Sequence, residues 1–314
     1  MPRRLALTSA SISLPMQGLV LILALLIGIG DAHARCADLP SGLENAARAP
    51  QNVGRSHIGK TYDEIIERGY IEIGVYADFP PYAYRRDGEP TGIDVDLGRL
   101  IAKALGLDAK IVFLPAGENV DADLRNFVWK GPLIGGNVID LMLHVPYNRD
   151  LACRNELVKL TGQYFQEELA IAYRKDRYPD AAPTPVYFRY DRIGVENDSI
   201  ADFYLSSLAR GQILPNIVRF PEPQRAKAAM VAGIIPAVMG PRGQLEHRLP
   251  PEIGVHTPPL PNLAIGRWTL GVAVRHTNRD LGYDVDYAIE QALASGAIQA
   301  IFARHGIRFT PPER

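Results

Sequence analysis

The sequence is poor in sulfur, in net charge and in long apolar runs. Its 314 residues include two cysteines, with no CxxC pair, and seven histidines scattered without HExxH or Cys/His ligand spacing. A zinc site or a dithiol redox motif therefore finds no support in the pattern. The formal net charge is −1, and no basic stretch provides the phosphate-neutralising surface that nucleic acid requires. With 47% hydrophobic residues, the composition is that of an ordinary globular protein, long enough for one large domain or two modest ones. A partner has to be sought in a site.

The amino terminus indicates a compartment. Arg3 and Arg4 precede the apolar run Leu19–Ile29, and Ala32-His33-Ala34 has the small-x-small pattern of a signal peptidase site. Eleven apolar residues fall short of the roughly twenty that a spanning helix needs. The expectation is an export signal over 1–34, cleaved after Ala34; Arg35 ahead of Cys36 does not fit lipoprotein processing. In an oxidising compartment Cys36 and Cys153 are expected to pair, the alternative being two separate thiols. The chain-entropy model gives so long a loop roughly 4–5 kcal/mol.

Residues 35–61 read as an irregular extension rich in Ala, Pro, Gly, Asn and Arg. From Tyr62 the texture changes. TYDEIIERG predicts a short helix stopping at Gly69, and YIEIGVY a strand. Val95, Leu97, Leu100, Ile101, Ala104 and Leu105 recur at helical spacing before Gly106, and AKIVFLP follows as a strand. Further strands are expected at VIDLMLHV (138–145), ELAIAYRK (168–175) and RIGVEND (192–198), with a helix over Ser199–Arg210 and an amphipathic helix pair near the end. Alternating strands and helices argue for an α/β fold with mostly parallel strands.

One stretch raises a question of its own. VYADFPPYAY (75–84) ends a strand in two prolines bracketed by Phe79, Tyr82 and Tyr84. Ligands of open α/β sheets sit beyond the carboxyl ends of strands, so these aromatics can form one wall of a pocket. Equally, they can pack on the following helix as a core corner.

IGVYADFPPYAYRRDGEPTGIDVDLGRLIAKALG resembles the opening of bacterial periplasmic solute-binding proteins of the amino-acid type, extracellular solute-binding protein family 3. The resemblance resumes at VIDLMLHVPYNRD, LTGQYFQEELAIAYRK, RIGVENDS and NRDLGYDVDYAIEQALASGAIQAIFARHGI, covering most of residues 68–307. It implies a two-lobed periplasmic binding protein (type II) with two hinge strands: lobe 1 from 62–165 and 269–314, lobe 2 from 166–268. It also implies ligand contacts at Tyr76, Phe79 and Tyr82. His144 falls on a small residue of the family pattern, which would bring an imidazole to the cleft. Arg149 and Arg154 are both candidates for the arginine that forks onto a ligand carboxylate. In lobe 2, Ser199 falls on the hydroxyl residue opening a helix, and Gly240 stands where many relatives place an acid that pairs with a ligand ammonium. Glu196 and Asp198 depart from the pattern. Both halves of an amino-acid clamp are altered, so the expected ligand is a small organic solute other than a standard α-amino acid, with no cofactor or metal.

The expected role is non-enzymatic capture of that solute in the periplasm, by a monomer, for an ABC permease. The segment 117–146, with Phe127 and Trp129 near a Gly-Gly turn, is similar to binding-protein-like chains associated with periplasmic quinoprotein (PQQ) alcohol dehydrogenases. That similarity implies an alternative partner, a quinoprotein dehydrogenase. Cyclohexadienyl dehydratases also resemble this fold, and in that reading Glu196 would be the general acid or base.

Overall fold

The structure, a computed structural model, describes residues 58–132 and 137–313, all within one structural unit, Asn45–Arg314. The expected signal segment, Cys36 and the Gly-Gly turn at 135–136 lie outside the described residues. Cys153 is buried.

The first helix, α1 (Tyr62–Arg68), begins with a capping box in which Thr61 and Glu64 satisfy each other's backbone N–H groups, and it stops at Gly69 in the left-handed region. Strand β1 (Tyr70–Tyr76), the hairpin β2 (Tyr84–Arg86) and β3 (Glu89–Thr91), helix α2 (Ile93–Ala104) and strand β4 (Asp108–Leu114) follow. A short helix α3 (Val120–Asp123) runs into a π-helical turn, Leu124–Trp129. Next come β5 (Leu141–Pro146), α4 (Arg149–Arg154) and β6 (Val158–Arg174). The remaining elements are β7 (Ile193–Glu196), α5 (Ile200–Ser207), β8 (Ile217–Phe220), α6 (Pro223–Val231), β9 (Ala237–Pro241), α7 (Arg242–Glu246), β10 (Ile253–His256), β11 (Arg267–Arg275), α8 (Arg279–Ala294) and α9 (Ala297–Arg304). Among the described residues no helix is long and apolar enough to cross a membrane.

The strand order β4-β1-β5-β11-β6-β9-β7-β8, with β10 also on β6, joins both lobes. β4, β1 and β5 are parallel at one end, as are β9, β7 and β8 at the other. Antiparallel β11 and β6 cross between them as the two hinge strands. The boundaries drawn from the sequence at 165/166 and 268/269 fall inside these two strands. The sequence reading had a strand only from Glu168; β6 is 17 residues long and begins at Val158.

β6 feeds four cores. Phe165 packs in a cluster with Ile73, Leu97, Val272 and Phe302, while Leu160 lies on the opposite sheet face with Met142 and Leu151. Ile171 joins Phe188, Val195 and Met239 beyond the crossing, and Ala172 joins Met230 and Val238 on the other face. Sheets covered on both faces account for the near-continuous apolar runs of the strands. Phe127 and Trp129 are half-buried against the cluster of Met142 and Leu151.

A third connection reinforces the crossing. The Arg242 side chain is fully buried; its Nε donates to Glu168 at 2.9 Å, its Nη1 to Glu246 and the Arg308 carbonyl, and its Nη2 to Thr310. The Gln166 N–H donates to the Thr310 carbonyl at 3.0 Å, so the carboxyl-terminal tail runs beside β6. Nearby, His247 is 8% exposed, faces the His305 carbonyl and the Tyr84 ring, and accepts Lys227 Nζ on its own carbonyl at 2.6 Å. Burial, then the charges of Lys227 and Arg248, lower its pKa from 6.5 to about 4.

Two outcomes are expected. Arg242→Met removes the buried guanidinium shared by Glu168 and Glu246, leaves them the exposed Arg308 and Arg267, and should cost about 1–3 kcal/mol in urea denaturation. His247 is neutral when folded, so its stabilising contribution is complete above pH 6.5 and is lost as pH falls towards 4. His247→Asn should flatten the wild-type stability profile across that window.

Candidate ligand cleft

The aromatic loop after β1 is a backbone device. Phe79 and Ala83 exchange hydrogen bonds at 2.8 and 2.9 Å around a cis Pro80-Pro81 peptide. The carbonyls of Pro81 and Tyr82 accept from the N–H groups of Ile93 and Asp94 at 3.0 and 2.9 Å. They thereby satisfy donors that the first turn of α2 cannot pair internally. Gly92, at φ 135°, permits this approach, because a Cβ there would collide with the Tyr82 carbonyl.

Tyr76, Phe79, Tyr82 and His144 come together at this strand end. The His144 ring lies 4.2 Å from Tyr82, 5.0 Å from Phe79 and 6.5 Å from Tyr76, in edge contacts, while Phe79 stacks on Tyr82 at 5.4 Å. His144 sits at φ 63°, a conformation uncommon for a residue with a side chain. A closed network holds it there. Its Nδ1 is 3.0 Å from Asp94, its N–H donates to the Tyr164 hydroxyl, and that hydroxyl donates to the other Asp94 oxygen at 3.0 Å. Asp94 is fully buried. Tyr76 is tied to Asp123 by a 2.8 Å hydrogen bond; burial raises its hydroxyl above the ordinary range, and Asp123 adds to the effect.

Tyr82 is 1% exposed, and its hydroxyl donates to Glu167 on β6. Glu167 also accepts from the N–H groups of Glu168 at 2.9 Å and Gly243 at 3.3 Å. Gly243 is the second residue of α7, beyond the crossing, and a Cβ there would collide with the Tyr82 hydroxyl. Burial raises the Glu167 carboxyl above its usual range, and its donors offset this only in part. Phe79, half-buried, is thus the more open aromatic of the pair.

Ser199 and Gly240 meet on the other lobe. They line a crevice with Glu196, Met239, Gln244 and Leu245. Ser199 caps α5 by accepting the Asp202 N–H at 3.2 Å. Burial raises the Glu196 carboxyl. The two arginines are placed differently: Arg149 is exposed at the first turn of α4, and Arg154 pairs with Asp121 at 3.3 Å from the other end of that helix.

The sequence reading missed Asp94, Tyr164, Glu167, Gly243 and Gln244. Only one of these left a signal: Gln166-Glu167-Glu168 is a polar triplet inside an apolar strand, which a buried run tolerates only where partners await the side chains.

Comparison with known proteins finds similarity in the first part of the described chain and in the fold. The model of the bacterial extracellular solute-binding proteins, family 3, matches residues 71–125. YhdW of Escherichia coli O157:H7, named as an amino-acid ABC transporter-binding protein, is 33% identical over 88 residues, 24% of this chain. The match spans only 26% of that relative's length. Among solved structures, an ancestral cationic amino acid solute-binding protein, AncCDT-1, superposes with a TM-score of 0.63 at 19% identity, over 78% of this chain and 98% of its own. AncCDT-1 is also described as a precursor of cyclohexadienyl dehydratase. An amino acid ABC transporter substrate-binding protein from Streptococcus pneumoniae, bound to L-arginine, gives 0.57 at 19% identity, over 80% and 98%. At these identities the structures establish the shared two-lobed fold.

Tyr82→Phe removes one donor from a buried carboxylate and should cost about 1–3 kcal/mol in urea denaturation at pH 7. Because the folded pKa of Glu167 is raised, its contribution is most favourable in acid and is lost as pH rises through that value. The deficit of the variant should therefore be smaller at pH 4 than at pH 7.

Proposed function

With the resemblance to family-3 solute-binding proteins as premise, we propose that the chain captures a small organic solute between its lobes in the periplasm and delivers it to an ABC-type permease. The observation that carries this reading is the pairing of two walls. Phe79 and its neighbours stand at the carboxyl end of β1, and Glu196, Ser199 and Gly240 stand at the ends of β7 and β9, the positions where open α/β sheets bind ligands. Glu167 links the walls by holding Tyr82 and Gly243 together. Export with cleavage after Ala34 and a Cys36–Cys153 pair belong to the same reading.

A standard α-amino acid suits these walls poorly. Gly240 and Pro241 supply no acid for its ammonium, Arg154 is engaged with Asp121, and Arg242 is held by Glu168 and Glu246.

A thermal-shift screen against amines, amino acids, small carboxylates and alcohols tests the proposal. A solute at 100-fold its dissociation constant should add about 2.7 kcal/mol, and Phe79→Ala should abolish the shift. Absence of any small-solute binding, with binding to a purified quinoprotein dehydrogenase instead, would overturn it in favour of an interaction role.

A further inference from the structure

The crevice beside Gly240 contains acceptors in need of a donor. Gln244 is 5% exposed, and its side-chain oxygen is buried with no hydrogen-bond partner although it lines the crevice. Such an orphan is destabilising until something donates to it. Glu196, on the same lining, has a carboxylate with no hydrogen bond or ion pair among the described residues, and burial raises its pKa. The Ser199 oxygen already accepts one N–H and has a second lone pair. At Gly240 a side chain would meet open space, with no heavy atom within 4 Å of a built Cβ. Val238, Met239 and Leu245 supply an apolar floor.

Resting on the solute-binding reading and naming its solute class, we propose that this crevice takes the ammonium end of a small organic amine carrying no carboxylate. An ammonium has three donors and no acceptor, which matches Gln244, Glu196 and Ser199 in number and in kind. A carboxylate would set oxygen against oxygen. The positive end of α5 does not reverse this preference, because Asp202 in its first turn already accepts from the Asp198 N–H and from Arg219.

Calorimetric titration of the exported protein with n-propylamine, propionate and alanine is the test. Propylamine should bind while propionate does not, with alanine weaker than propylamine. Glu196→Gln should weaken propylamine at least tenfold and remove the loss of binding in acid that wild type displays, and Gln244→Leu should weaken it several-fold. Unchanged melting of Glu196→Gln without amine verifies its fold. Propionate or alanine binding at least as tightly as propylamine, or amine binding indifferent to Glu196→Gln, would overturn the assignment while leaving solute capture intact. If no member of the wider solute panel binds, both readings fall.

Discussion

Two neighbouring carboxylates on one strand, facing opposite ways, hold the two lobes to a common axis. Successive strand residues alternate sides, so Glu167 reaches Tyr82 and Gly243 while Glu168 reaches Arg242. Charge removed from water is costly unless it is closely paired. These groups therefore fix where β6 crosses and what must stand on either side. The tail adds to this constraint through Arg308 and Thr310, both of which accept from Arg242.

The cleft inherits its chemistry from that arrangement. Arg242, at the crossing, is engaged by Glu168 and Glu246. On one side, Asp94 and Tyr164 spend themselves on holding His144 against Phe79 and Tyr82. On the other, Glu196 and Gln244 face the crevice with no protein donor among the described residues. Solved structures of the same fold are described as binding cationic amino acids or L-arginine.

Much of the fold was legible because local and long-range signals agreed. The short helix read from TYDEIIERG, its stop at Gly69 and the apolar period of α2 each mark an element that the structure contains. β6 was underestimated because its polar triplet interrupts the apolar run, and only contacts distant in sequence make that triplet compatible with a buried strand. The same reason explains the cleft. Phe79 and His144 could be placed by their strand ends, whereas Asp94, Tyr164 and Gln244 acquire meaning through partners 20 to 70 residues away or through a missing partner. In the aromatic-proline stretch Tyr82 is core, and Phe79 packs half-buried against the same cluster.

The most direct test of the two-walled cleft is amide hydrogen exchange of the exported protein with and without saturating n-propylamine. The account predicts slower exchange in residues 76–84 and 237–246 together, because one solute engages both walls. Protection of a single wall, or of neither, would contradict it.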